Sequence, residues 1–372
     1  MDMKSLLKRL VEIESPSTDK AAVDRVGRIV ADEARRLGAD VQIAPVKEAG
    51  DHIIARWGKV PSPGGRGARG EGGILLLCHM DTVFPLGTLE KMPFREADGK
   101  LFGPGVLDMK SGIVISLAAI EALQKEDSLN CPVTLLCTSD EEVGSLTSQS
   151  LIEDLAKESA LVLVLESALL DGSLKTWRKG VGEFWVKVKG RAAHAGGAHA
   201  EGRNAIEEMA HQVLAIQKMT DYEMGTTLNV GVIHGGTVSN VVPEEAVAQV
   251  DVRVMQPGEW ERIEAEMQAL RPVLMGTSLE ITGGLNRPPM PFDETMKATF
   301  EKARSIAVEI GVELKAGGSG GGSDANFVAP LGIPVLDGLG AIGEGLHSER
   351  EYIFTDSLRE RAKLLAALIQ NW

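Results

Sequence analysis

The sequence is poor in cysteine, in positive charge and in long apolar runs. Only Cys78, Cys131 and Cys137 occur among its 372 residues. Three thiols, at spacings that match neither C-x-x-C nor a zinc knuckle, read as reduced and exclude a disulfide framework. Lys and Arg number 39 against 53 Asp and Glu, a formal net charge of -14. That deficit argues against a nucleic-acid or anionic-membrane partner, since both reward positive surface. No apolar stretch reaches the ~20 residues needed to span a bilayer. The first residues, MDMKSLLKRLVEIESPS, put Leu6, Leu7, Leu10 and Val11 on one helical face. They contain no continuous apolar segment of the signal-peptide kind. The expected location is therefore the cytoplasm. There is also no G-x-x-x-x-G-K-[ST] loop, and no Gly-rich turn follows the first strand, VQIAPVKEAG, which speaks against a nucleotide-binding enzyme.

What is present is a large apolar fraction, 44% of residues, enough for a sizeable core in a chain long enough for two domains. The first half alternates helical and extended patterns. ILLLCHMD, VTLLCTSD and ALVLVLES are near-continuous apolar strands separated by helices, the mark of a mainly parallel sheet covered on both faces. GKVPSPGGRGARGEGG, residues 58–73, is expected to be an exposed, mobile hairpin loop. After Thr176 the style changes. VGEFWVKVKG alternates apolar and polar residues, as a sheet with one wet face should. The order that follows is β-α-β-β-α-β, the ferredoxin-like arrangement. From NRPPMP onward the first style returns. The expected fold is α/β with a mainly parallel mixed sheet. It comprises a discontinuous domain, 1–178 and 289–372, interrupted by an α+β insert, 179–288, with hinges near Trp177 and Pro289.

Ligands collect at the carboxyl ends of strands in open α/β sheets. Here those ends carry His79, Asp81, Glu141, Glu142 and Glu166, and two loops add Asp108 and His347. Each residue has an ordinary reading. Asp108 could cap a helix, and paired glutamates suit a solvated first helical turn. Three strand ends and two loops would then need five separate ordinary reasons for one location, which is harder to sustain than one chemical reason. Clustered carboxylates at a buried rim are costly unless they hold cations. Two His and three carboxylates, one of them shared, suit a pair of zinc ions. In such a site one adjacent glutamate ligates and the other serves as general base toward a water. Asp81 is placed to orient the His79 imidazole.

The stretches LLLCHMDTVFP, GPGVLDMKSG, TSDEEVGS, HAGGAHAEGRNA, GGTVSNVVPEEA, NRPPM, GGGSDANF and GEGLHSEREY together resemble a known family. It is the co-catalytic zinc family of glutamate carboxypeptidase, acetylornithine deacetylase and succinyl-diaminopimelate desuccinylase. The resemblance runs from about residue 5 to the end. It implies two Zn2+, with Co2+ or Mn2+ as substitutes. His79 and Glu166 would hold one ion, Glu142 and His347 the other, with Asp108 bridging and a cis peptide bond after it. Glu141 would be the base and Asp81 the orienting acid. The insert would be a lid and dimerisation module, and His194 would reach the active site of a dimer partner to stabilise the oxyanion. Asn240, Arg253 and Arg287 would line the substrate side, although Arg253, in QVDVRV, also suits a surface ion pair. Backbone N–H groups of the loop at Gly321, Gly322 and Ser323 would receive a substrate carboxylate.

The chain departs from the family in reading AHAEG, with His199, where Pro is frequent after HAG. It has Ser323 where Thr is common. The expected activity is hydrolysis of an amide in a peptide or N-acyl amino acid with a free α-carboxylate. GPG and NRPPM lean toward the glutamate carboxypeptidase members. A deacylase of the acetylornithine type is the alternative, and a metal- or ligand-binding protein without catalysis is the alternative from another class.

Overall fold

The structure, a computed structural model, describes residues 1–58 and 72–372. Most of the Gly/Arg-rich stretch expected as a hairpin loop, residues 59–71, lies outside the described residues. The chain divides into two compact units. One comprises Met1–Trp177, Phe292–Ser319 and Ser323–Trp372, the other Arg178–Pro291 with Gly320–Gly322. The second unit thus starts one residue before the expected insert, ends three residues after it and takes three residues from a distant loop.

The first unit is built on a six-stranded sheet. Its order is Asp40–Ala44, His52–Trp57, Val133–Thr138, Gly73–His79, Ser159–Val164, Val335–Leu336. The last four run parallel, and the first two add an antiparallel edge. Ile74 to His79 are all buried, so both faces of that central strand are covered, which is why it reads as a continuous apolar run. The N-terminal helix, Met3–Val11, buries the four residues that its periodicity marks: Leu6, Leu7, Leu10 and Val11. Helix Lys20–Arg36 begins where the Asp19 carboxylate accepts the N–H of Ala22, and Glu294–Glu309 where Asp293 accepts that of Met296. A further helix spans Gln149–Lys157. The residues before it form a turn in which the Asp140 carboxylate accepts from Thr147 N–H and Oγ1 and from Ser148 Oγ.

The second unit is a four-stranded antiparallel sheet in the order Thr227–Gly235, Glu245–Val254, Gly180–Lys189, Ser278–Arg287. In chain order that is 2-3-1-4, the ferredoxin-like arrangement. Helices Ala205–Gln217 and Glu259–Ala269 share its core with Phe184, Val186, Val188, Val250 and Val252. The alternation of VGEFWVKVK follows the pleat, one side buried and the other wet. Phe184 and Trp260 stack with ring centroids 5.3 Å apart. Gly182 makes room for that ring, because a Cβ there would lie 2.2 Å from it.

Candidate metal centre and active site

Three neighbouring parallel strands deliver the candidate ligands. Gly73–His79 ends in His79, which lies opposite Thr138 on Val133–Thr138, and Leu77 lies opposite Val164 on Ser159–Val164. The strands stop together, so the residues just beyond them share one rim. Glu141 and Glu142 form a single tight helical turn, Glu141–Val143. Glu166 is drawn in by close backbone packing, because its carbonyl accepts the Gly340 N–H at 2.7 Å. The neighbouring Leu165 carbonyl sits 2.4 Å from where a Cβ of Gly112 would be. Asp108 comes from an irregular helical turn, Val106–Lys110, whose backbone leaves helical geometry at Asp108 and Met109. The Asp108–Met109 peptide bond is cis. Asp108 does not cap the helix that follows, Ser111–Lys125, which has no side-chain cap.

The carboxylate of Asp108 instead spans two imidazoles. Its Oδ1 lies 3.0 Å from His79 Nε2 and its Oδ2 lies 3.2 Å from His347 Nε2. Glu166 Oε1 is 3.4 Å from His79 Nε2, and Glu142 Oε2 is 3.4 Å from His347 Nε2. The five residues thus fall into two His–carboxylate pairs on either side of one shared carboxylate. Ligand atoms of His79, Asp108 and Glu142 all lie within 4.8 Å of one another.

These residues fit a metal. Two ligand atoms about 2.0–2.1 Å from a tetrahedral zinc lie roughly 3.3–3.4 Å apart. Three of the four N···O separations here, 3.2, 3.4 and 3.4 Å, are close to that value. Glu142 Oε1 is buried with no hydrogen-bond partner, a cost that a cation would remove. Charge points the same way. Burial alone would lower the pKa of His79, yet Asp108, Asp81 and Glu166 raise it well above the ordinary imidazole value. Hydrogen bonding to Asp108 and Glu142 raises His347 to about 10. Burial lifts Glu142 to about 6, against the pull of His347. The cluster demands positive charge.

Asp81 does more than the sequence suggests. It is fully buried, and its Oδ1 stands 3.4 Å from His79 Nδ1, whose nearer neighbour is the Asp81 carbonyl at 3.1 Å. The same carboxylate accepts the N–H groups of Glu141 and Glu142, at 3.3 and 3.1 Å, and the Ser17 hydroxyl at 2.7 Å. One side chain therefore braces both the imidazole and the Glu141–Glu142 turn. Ser17 gives no local signal in the sequence. Neither does Lys110, a buried ammonium that donates to the Ile13 carbonyl and that burial pushes down to about 7.

The residues expected on the substrate side divide between the units. In the second unit His194 is exposed, and its Nδ1 accepts the N–H groups of Gly196 and Gly197, at 3.1 and 2.9 Å. Asn240 adjoins the same ribbon, its carbonyl accepting Ala195 N–H. His199 begins a short helical turn, His199–Glu201. Arg253 is held by Asp251 two residues away on its strand through three contacts of 2.7–3.1 Å, the surface ion pair that its setting also suited. Arg287 is buried and donates to Asn286 Oδ1, with its chain against Gly322. The carbonyls of Gly321 and Gly322 accept from the buried Arg178, a residue that carried no local signal. Ser323, in the first unit, departs from the expected cradle. Its N–H is donated to Asn326 Oδ1 and its hydroxyl to Asp337, and it is fully buried. It braces the loop rather than offering an N–H to a ligand.

A model of the peptidase family M20/M25/M40 matches residues 75–371. The chain belongs to that family. Carboxypeptidase G2 of Pseudomonas sp. (strain RS-16) is 31% identical over 378 residues, covering 98% of this chain and 88% of the relative. Succinyl-diaminopimelate desuccinylase of Hydrogenovibrio crunogenus (strain DSM 25203 / XCL-2) is 26% identical over 389 residues, covering 98% and 97%. Among solved structures, aminopeptidase PepT of Bacillus cereus ATCC 10987 superposes with a TM-score of 0.81 at 25% identity, covering 99% and 97%. Membership in the M20 family makes the chain a metal-dependent hydrolase of the peptidase kind. Among the described residues no helix is long and apolar enough to cross a membrane.

Proposed function

We propose that this chain is a dizinc amidohydrolase of the carboxypeptidase kind. Its substrate class is peptides or N-acyl amino acids with a free α-carboxylate. One observation carries the reading: a single carboxylate, Asp108, faces His79 with one oxygen and His347 with the other. His79 and Glu166 would hold one ion, His347 and Glu142 the second, with Asp108 shared. Bound there, the ions would polarise the scissile carbonyl and activate a water. Glu141 takes the proton from that water and passes it to the leaving amine. Asp81 keeps Glu141 and His79 in register through the contacts above. His194, with Nδ1 committed as acceptor, carries its proton on Nε2 and so presents a donor suited to an oxyanion. In this reading it serves the site of a second protomer. Arg287 and the loop at Gly321 and Gly322 receive the substrate carboxylate, for which a guanidinium fork is well shaped. The enzyme works in the cytoplasm.

The relative named carboxypeptidase G2 supports the carboxypeptidase reading. A deacylase is the second reading, favoured by the relative named succinyl-diaminopimelate desuccinylase, which matches along nearly its whole length. The two differ only in the acyl half. The test is amine release from C-terminal-glutamate peptides, other dipeptides, and N-acetyl and N-succinyl amino acids, each with zinc and with chelator. Zinc-dependent release from the peptides is expected. Release confined to the N-acyl amino acids would replace the first reading by the second. Release that persists undiminished after full metal removal would overturn both.

A further inference from the structure

Glu351 is fully buried, and among its described contacts no cation hydrogen-bonds to it. A carboxylate in that position needs other donors. It finds them in one short stretch of backbone 243 to 246 residues away. Its Oε2 accepts the N–H of Gly105 at 3.1 Å, and its Oε1 accepts those of Leu107 and Asp108 at 2.7 and 3.0 Å. That stretch leads into the irregular turn Val106–Lys110, whose backbone leaves helical geometry at Asp108 and Met109.

The other end of the contact matters as much. Glu351 follows His347 by four residues in a tight turn. In it Ser348 N–H donates to the Gly345 carbonyl at 3.0 Å and Glu351 N–H to the Ser348 carbonyl at 3.1 Å. His347 itself takes a left-handed backbone, φ +57°. Such a conformation is unfavourable for a residue with a Cβ, so the surrounding turn must impose it. The two side chains of this turn meet the same residue: His347 Nε2 faces the Asp108 carboxylate, and Glu351 grips the Asp108 N–H. A ring of contacts closes through Asp108, His347, the turn and Glu351.

We propose that Glu351 is a positioning residue that locks Asp108 and the His347 turn together, and so sets the affinity of the metal centre. The proposal rests on the reading of Asp108 and His347 as metal ligands. A residue that fixes a ligand without touching the ion commonly changes metal affinity by about 10–100-fold when it is replaced. An alternative is that Glu351 merely satisfies buried N–H groups, as any buried acceptor must. The second unit supplies a control of the same kind. Glu208 is also fully buried, and it accepts backbone N–H groups from Val273 and Leu274 and the Thr277 hydroxyl, far from any candidate ligand in the chain.

The experiment compares the whole protein with its Glu351→Gln and Glu208→Gln variants, all stripped of metal. Thermal melts establish that each stripped protein is folded. Zn2+ is then titrated calorimetrically against a competing chelator, and Co2+ is added to record its visible ligand-field spectrum. The expected result is a Zn2+ affinity about 10–100-fold weaker and an altered Co2+ spectrum for Glu351→Gln, with wild-type values for Glu208→Gln. Wild-type affinity and spectrum in Glu351→Gln would overturn the proposal, whatever its melting temperature. So would an equal loss of affinity in Glu208→Gln, or a stripped Glu351→Gln protein that does not fold, since either assigns the contact to general stability. Wild-type protein that binds no Zn2+ would overturn the metal reading itself, an outcome separate from the others.

Discussion

Glu141 and Glu142 stand side by side in one turn and have different surroundings. Glu142 is largely buried, leans on His347 and keeps one oxygen without a partner. Glu141, like Glu142, is held by its backbone N–H on the Asp81 carboxylate. The division of labour proposed for them rests on the contact of Glu142 with His347 and on its partnerless oxygen. Glu141→Ala should lower kcat by about 10²–10⁴-fold, the range for loss of a general base, while metal content by elemental analysis stays at the wild-type level. Loss of metal along with activity would show that Glu141 is a ligand instead. His52 offers a prediction on stability. It is buried behind this turn, its ring nitrogens 3.1 Å from Ser139 Oγ and 3.2 Å from Thr147 Oγ1. Burial lowers its pKa below the ordinary value, although Asp140, Asp324 and Asp81 pull it upward. The unfolded chain therefore takes up this proton first as pH falls. The stability that neutral His52 supplies is complete above about pH 6.5 and is lost below it. The fall in Tm between pH 7 and 5 should be shallower in His52→Gln than in the wild type, and equal slopes would refute this.

Elements in this protein are placed by close backbone approach as much as by side-chain packing. Gly182 admits the Trp260 ring between helix Glu259–Ala269 and its sheet. Gly182→Ala would force a Cβ into that ring and should cost about 1–3 kcal/mol, the usual range for overpacking, read as a lower urea midpoint at unchanged m-value. An unchanged midpoint would mean that the helix shifts freely. At this scale much was legible in the sequence. Apolar strands and amphipathic helices announce themselves by period, and ligands hung just beyond strand ends can be read from position. What remained hidden is of another kind. The grip of Glu351 on residues 105–108, the brace from Ser17 to Asp81 and the hold of Arg178 on Gly321 and Gly322 are hydrogen bonds to distant partners. Nothing local encodes them. Ser323 looked available for the same reason, since its commitment to Asn326 and Asp337 is a tertiary fact.

For the whole molecule, the second unit ends its sheet at Thr227–Gly235, which among the described residues pairs on one side only. Along this strand and the adjoining helix, Val232, Ile233, Ile206 and Leu214 are exposed. An open sheet edge with apolar neighbours invites pairing with another chain. This supports the proposed homodimer, the assembly in which His194 would act across protomers. Light scattering at micromolar concentration should return twice the mass of one chain, and a monomer would leave His194 without that role.

The candidate ligands are strung unevenly along the polypeptide: four lie between His79 and Glu166, and the fifth, His347, comes 181 residues later. During synthesis the first four emerge early, and at the pace of elongation, about 5–20 residues per second, the ribosome then needs roughly 10–40 s to reach the fifth. In that interval Glu166 lacks its contact with Gly340 and Asp108 lacks the grip of Glu351, so the proposed centre is complete only near the end of translation. The ion that occupies the finished enzyme would then be decided after translation, from the cell's metal pool.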